Sequence, residues 1–205
     1  MSGSDLGFIH RLEPGNPALA PLLVLHGSGG DENDMIPLAK RIAPGRALLS
    51  PRGQVNEHGI NRFFRREPDG AWDLADLAVR TAGLSAFLAR ARAAYGLPKP
   101  VALGYSNGAN IAWPLLLKEP DTLAGAILLR AMLPFDPRPL PDLRGLPVLL
   151  IAATHDELIP VERAGLLAAL LGEAGGDVTY EVLPAGHSLT GEDIALAAEW
   201  LAAHG

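Results

Sequence analysis

The chain has 205 residues, enough for one domain with a substantial core. Its net charge of −6 gives no whole-chain attraction to nucleic acid or to an anionic membrane surface. Cysteine is absent, which excludes disulfides, thiolate metal sites and a cysteine nucleophile.

The N-terminus, Met1 to Asp5, lacks a basic segment followed by an apolar run, so no secretory signal is expected. No apolar stretch approaches the roughly 20 residues of a membrane span, and the expectation is a soluble, cytoplasmic protein. Phe8 to Leu12 suggests an N-terminal edge strand. Leu22-Leu23-Val24-Leu25 is wholly apolar, as suits a strand buried on both faces of a parallel sheet, and it ends in His26-Gly27-Ser28-Gly29-Gly30. A helical period over Asn33 to Ile42 follows, then the short run Ala47 to Leu49. Ser50 to Trp72 is rich in Gly, Arg, Asn and Pro and reads as an irregular loop or minimal cap over one end of the sheet.

Asp73 to Tyr95 carries Leu74, Leu77, Ala78, Thr81, Leu84, Leu88 and Ala91 on one stripe and predicts a long helix. Three apolar runs come next: Val101 to Tyr105, Ala126 to Leu129 and Val148 to Ala153. The first leads directly into a helical segment, Asn107 to Lys118, and the third precedes another, Val161 to Leu171. Val178 to Leu183 alternates more than the others and suits a strand nearer the sheet edge. Leu189 to Ala203 closes the chain as a helix, with Thr190 and Asp193 spaced as a capping box in which Asp replaces the usual Glu. Strands alternating with helices predict an α/β fold: a single domain over 1–205, with a mainly parallel, doubly wound sheet of about six to seven strands and helices on both faces.

Gly104-Tyr105-Ser106-Asn107-Gly108 matches the G-x-S-x-G nucleophile elbow, with a strand leading in and a helix leading out. The serine occupies a strained turn, and small residues two positions either side let strand and helix approach. The bland alternative is an ordinary Gly-rich turn with a capping serine. Ser106 would need a general base, with a third group to orient it, and in this arrangement the chain order is Ser, acid, His. His155, His187 and His204 are the histidines beyond it. His187 stands just past the last strand, where the elbow's own edge of the sheet lies. His204 falls in the last turn of the final helix, and His155 is beside the favoured acid and suits a structural role. That acid is Asp156, which ends the strongest C-terminal strand; Glu157 and Asp136 are the other candidates.

Acyl transfer also needs donors for the oxyanion. The backbone N–H of Asn107 supplies one, and the glycine-flanked N–H of Ser28 is the choice for the second. The 26–30 loop would otherwise serve as a plain turn or an anion nest, but it lacks the Lys and Ser/Thr ending of a nucleotide-binding loop. His26 reads as scaffold behind it.

With these residues in place the chain resembles the phospholipase/carboxylesterase family of α/β-hydrolases, from Leu23-Val24-Leu25-His26-Gly27 to Ala185-Gly186-His187. The likeness is most specific in Gly104-Tyr105-Ser106-Asn107-Gly108-Ala109-Asn110-Ile111-Ala112. Pro51-Arg52-Gly53 and Arg62-Phe63-Phe64-Arg65-Arg66 resemble the bacterial carboxylesterase branch. The resemblance implies the α/β-hydrolase fold, Ser106, Asp156 and His187 as catalytic triad, and Ser28 and Asn107 as oxyanion donors. Acyl-protein thioesterases of this family usually carry Gln after the nucleophile. Asn107 therefore tilts the reading from a protein thioesterase toward a carboxylesterase acting on small or medium esters; a lysophospholipase or acyl thioesterase on the same triad is the alternative.

The remaining class is a non-catalytic ligand-binding protein on a hydrolase fold. No metal or organic cofactor is expected, the partner is a small-molecule ester, and the chain is compatible with a homodimer. Candidate pocket residues are Phe63, Phe64 and Trp72 in the irregular segment, Met132 and Leu133 after a strand, and Leu158 after the acid. The first three would otherwise form the small core of their loop. Arg62, Arg65 and Arg66 suit either steering of an acidic substrate or a salt-bridged surface.

Overall fold

In a computed structural model, which describes residues 6–67 and 70–205, the main sheet is built from seven strands. These are β1 (His10–Glu13), β2 (Leu22–Leu25), β3 (Leu48–Pro51), β6 (Val101–Tyr105), β7 (Gly125–Leu129), β8 (Pro147–Ala153) and β9 (Asp177–Leu183). Their order across the sheet is β1-β3-β2-β6-β7-β8-β9. All neighbours run parallel except β1, which pairs antiparallel with β3 and forms one edge. The wholly apolar runs became the interior strands, and the more alternating Val178–Leu183 run became the opposite edge, as its pattern predicted. The fold is that of the α/β-hydrolases.

The period-2 alternation of side chains divides the core between the two sheet faces. Leu23, Leu25, Ala102, Val148 and Leu150 point to one face. There they meet α2 (Leu74–Tyr95), α3 (Asn107–Lys118) and α4 (Val161–Glu173). Leu22, Val24, Val101, Leu103, Leu149 and Ile151 point to the other, where α1 (Ile36–Ile42) and α5 (Gly191–His204) cover them.

Helix ends follow local chemistry. The Asp73 carboxylate accepts from the Asp76 N–H at the start of α2, and Gly96 closes that helix in the left-handed conformation, φ 64°. Thr190 and Asp193 form the capping box of α5. Helix α1 starts three residues later than the periodicity predicts, because Asn33 to Met35 make a turn in which Asn33 O accepts from the Ile36 N–H; Pro37 then occupies the first helical turn. Helix α4 continues two residues past Leu171, to Glu173, ahead of Gly175 at φ 92°.

The segment 50–72 holds more regular structure than its composition predicts. Strands β4 (Val55–Glu57) and β5 (Ile60–Arg62) form an antiparallel hairpin joined by His58 and Gly59. Both turn residues have positive φ, 54° and 86°, the requirement of a two-residue type I′ turn. Strands of three residues carry too little alternation to reveal themselves, and His-Gly is a weaker signal than Asn-Gly.

Helix α3 approaches the sheet most closely at its first turn. A Cβ on Gly108 would lie 2.1 Å from the Leu25 carbonyl oxygen, and one on Gly104 would lie 2.6 Å from Ala109 Cα. Gly83, inside α2, has open space on that side, and a Cβ there would meet nothing within 4 Å. Gly108→Ala is therefore expected to lower the unfolding free energy by about 2 kcal/mol or more. Gly83→Ala should raise it by roughly 0.5–1 kcal/mol, through helix propensity alone. Urea unfolding of the two variants checks the contrast.

Candidate active site

Ser106 sits between β6 and α3 with φ 51° and ψ −112°, a conformation that an L-residue holds only when its surroundings impose it. Three constraints impose it here. The N–H of Ser106 donates to Leu129 O, its carbonyl accepts from the Asn110 N–H, and Gly104 and Gly108 permit the close crossing described above. The result places the hydroxyl at the carboxyl edge of the sheet, at the N-terminus of a twelve-residue helix. A helix N-terminus favours negative charge developing beside it.

The loops after β8 and β9 bring Asp156 and His187 to that hydroxyl. His187 Nε2 lies 3.0 Å from Ser106 Oγ, and His187 Nδ1 lies 2.8 Å from Asp156 Oδ2. The other carboxylate oxygen of Asp156 accepts from the N–H groups of Leu158 and Ile159, at 2.8 and 2.9 Å. Those bonds fix the rotation of the carboxylate and leave Oδ2 for the imidazole. The Asp156 side chain is fully buried, whereas the His187 side chain remains 21% exposed, so the imidazole meets the carboxylate on one side and keeps part of its ring open to solvent. A carboxylate at Nδ1 sets that nitrogen as the donor and leaves Nε2 to accept the serine proton.

The other candidates lie elsewhere. Asp136 pairs with Arg138 on the surface, and Glu157 is exposed. His155 is exposed, and its N–H donates to Ala185 O, a bond that ties the Asp156 loop to the His187 loop. His204 stacks on Trp200 at the end of α5.

Ser28 lies in the loop after β2 and Asn107 is the first residue of α3, and among the described residues neither main-chain N–H donates to another residue. The Ser28 loop is fastened from behind. His26 Nε2 accepts from the Gly53 N–H at 2.9 Å, so Nδ1 carries the proton and donates to Gly27 O at 2.7 Å. The Gly29 N–H donates to Asn61 O on the hairpin. A run of amides continues the tie: the Gly59 N–H donates to Asn56 Oδ1, Asn56 Nδ2 to Asn61 Oδ1, and Asn61 Nδ2 to Gly30 O. Gly27 allows the loop to pass the Tyr105 ring, which a Cβ would approach to 2.9 Å. His26 thus has the scaffold role that its position suggests.

The predicted pocket residues separate. Phe63, Phe64 and Trp72 are buried in the core beneath the 50–72 segment: Phe63 packs on the His26 ring, and Phe64 packs on Trp72. They line neither the cavity beside the Ser28 loop nor the one against α4. Asn107 joins this layer through its side chain, whose Oδ1 accepts from the Phe63 N–H at 2.7 Å. Met132 and Leu133 are partly buried, with the Met132 N–H held by Asn110 Oδ1. Leu133 borders a surface cavity of about 370 Å³ against α4, and Leu158 is 67% exposed. A second cavity of about 370 Å³ opens between the Ser28 loop, α1 and the residues just after His187; Met35, Leu38, Tyr105 and Leu189 supply its apolar wall.

The arginines of the 62–66 stretch are engaged locally. Arg62 pairs with Glu57, Arg65 with Asp73 and Asp76, and Arg66 lies over the Trp72 ring. Among the described residues no group of three or more His, Asp or Glu is placed to hold a metal ion, and no helix is long and apolar enough to cross a membrane.

Sequence reasoning missed Arg130 and the hydroxyl of Tyr105. Arg130 is fully buried, paired with Asp193, and donates to the loop that carries His187; the Tyr105 hydroxyl donates to the His187 carbonyl at 3.2 Å. The available signal was a lone charge directly after the apolar run Ala126-Ile127-Leu128-Leu129.

No protein-family model matches the chain. It is 41% identical over 181 residues to MhqD of Bacillus subtilis (strain 168), whose own description as a hydrolase is provisional; the match covers 87% of this chain and 90% of that one. Among solved structures, a Bacillus cereus carboxylesterase superposes with a TM-score of 0.95 at 38% identity, covering 98% of this chain and 97% of that one. A carboxylesterase from Mesorhizobium loti gives 0.92 at 35% identity, with 98% of each chain covered. The chain belongs to the phospholipase/carboxylesterase family of α/β-hydrolases.

The buried His26 makes a pH-dependent contribution to stability. Burial pushes its imidazole below the ordinary histidine range, against the opposing pull of the Gly27 carbonyl. The unfolded chain therefore takes up this proton first. Stability from His26 is complete above about pH 6.5 and is lost progressively as the pH falls below that value. Unfolding free energies measured by urea titration between pH 8 and pH 5 should fall more steeply for the wild type than for His26→Asn.

Proposed function

We propose that the protein is a serine carboxylesterase that hydrolyses small or medium carboxylic esters through an acyl-enzyme intermediate. The observation that carries this reading is the Ser106–His187–Asp156 relay, with bonds of 3.0 and 2.8 Å, built on a serine held in a strained, positive-φ turn. A binding protein has no need of that strain. Support also comes from the relatives, two of which are named carboxylesterases.

In this mechanism His187 Nε2 takes the Ser106 proton as Oγ attacks the ester carbonyl. The negative charge formed on the carbonyl oxygen is received by the N–H groups of Ser28 and Asn107, assisted by the α3 N-terminus. The imidazolium, stabilised by the Asp156 carboxylate, then gives its proton to the departing alkoxide, and the acyl group stays on Ser106. A water molecule enters, loses a proton to His187 and attacks the acyl carbon. Collapse of the second tetrahedral intermediate returns the proton to Ser106 and releases the acid. Every proton transfer uses the chain's own residues.

The cavity beside the Ser28 loop suits an ester of modest size, and it opens to solvent rather than continuing as a tunnel. Ser106→Ala should lower kcat on p-nitrophenyl acetate by on the order of 10⁴–10⁶-fold, and Asp156→Asn by about 10⁴-fold. An organophosphate probe should label Ser106 in the wild type; failure of active, folded protein to label there overturns the proposal. Across p-nitrophenyl esters, kcat/KM is expected to peak at short or medium acyl chains. Equal or better turnover of long-chain acyl thioesters would replace this substrate class with a thioesterase.

A further inference from the structure

We propose that Arg130, together with Tyr105, is a positioning residue for His187, acting as a clamp on the three successive carbonyl groups of Gly186, His187 and Ser188. The inference rests on the reading of His187 as the catalytic base.

Arg130 is the first residue after β7 and has φ 57°. Its N–H donates to Ile151 O on β8, which directs the side chain along the carboxyl edge of the sheet toward the loop after β9. There Nε donates to Gly186 O at 3.1 Å, and Nη2 reaches Ser188 O at 3.5 Å. Between those two carbonyls the Tyr105 hydroxyl donates to His187 O. No main-chain N–H among the described residues reaches any of the three, so side chains alone hold the loop at its catalytic residue.

The far side of the guanidinium meets Asp193. Nη1 and Nη2 lie 2.7 and 3.1 Å from its two oxygens. Asp193 also accepts from the Thr190 N–H and hydroxyl at the start of α5. The clamp is thus anchored to β7, β8 and α5 at once.

Stability alone does not account for the pair. Both side chains are 0% exposed, and a buried ion pair in such a place is often no more stabilising than apolar residues of the same volume. A guanidinium gives what an apolar group lacks: a planar fork of donors in fixed directions, here aimed at the carbonyls either side of the base. His187 must hold Nε2 to Ser106 and Nδ1 to Asp156 simultaneously, so a small displacement of its backbone breaks one bond or the other.

The test compares Arg130→Lys, Tyr105→Phe and the double variant Arg130→Met/Asp193→Asn, in which both charges go while Asn keeps an acceptor for the Thr190 cap. Active sites are titrated by the p-nitrophenyl acetate burst, so kcat refers to competent sites only, and urea unfolding is measured alongside. Arg130→Lys is expected to lose about tenfold to a hundredfold in kcat with KM within about twofold of wild type. Tyr105→Phe, at a half-buried position, should lose about threefold to tenfold and keeps the test open if Arg130→Lys does not fold. The double variant should recover wild-type unfolding behaviour while kcat stays low. Wild-type kcat per titrated site in the double variant or in Tyr105→Phe overturns the clamp. Ser106→Ala separates the two levels: residual wild-type turnover there overturns the triad itself, whereas its inactivity combined with wild-type kcat in the double variant overturns the clamp alone.

Discussion

The reversal of the chain at Ser106 is the constraint on which the rest of this sheet edge depends. Strand β6 must end and α3 must begin within one residue, and that residue takes up a conformation costing roughly 1–3 kcal/mol. The sheet maintains it because the adjoining positions leave no other route: Gly108 touches the Leu25 carbonyl, and Gly104 lies under Ala109. The cost is repaid in direction. The hydroxyl stands at the end of the strand, beside the free N–H groups of the first helical turn.

Parallel pairing then gathers everything else. Strands β2, β6, β7, β8 and β9 all deliver their carboxyl ends to the same edge, so their loops bring Ser28, Ser106, Arg130, Asp156 and His187 together from positions scattered along the chain. Five of the ten buried polar side chains among the described residues also gather here. His26, Asn107, Asn110, Arg130 and Asp193 are all almost inaccessible, and each makes its hydrogen bonds to a loop at this edge or to the helix cap beside it. Away from the edge, the two faces of the sheet are closed mainly by apolar packing.

What could be read from the sequence was what is encoded locally. Three-to-six-residue apolar runs marked the interior strands, a 3.6-residue stripe marked α2, and the five residues around Ser106 carried their own geometry. The choice of His187 and Asp156 came from chain order together with their positions just past the last strand and at the end of the Val148–Ala153 run. Partners far apart in sequence carried no such mark. Arg130 and Asp193 are separated by more than sixty positions, and nothing near either one announces the other. Phe63, Phe64 and Trp72 were equally ambiguous, since aromatic residues in a Gly-rich segment suit a pocket wall and a local core alike. Their burial under the hairpin is decided by long-range packing against α3.

The amide chain from the hairpin to the Ser28 loop has a bearing on entropy. A loop whose free donor, the Ser28 N–H, is flanked by glycines would ordinarily sample many shapes, and ordering it at each encounter with a ligand would draw on binding energy. Here that ordering is done once, when the protein folds. The two residues of the His58-Gly59 turn touch no part of the cleft, yet their geometry, passed through Asn56 and Asn61 to Gly30, governs how little freedom the Ser28 N–H retains.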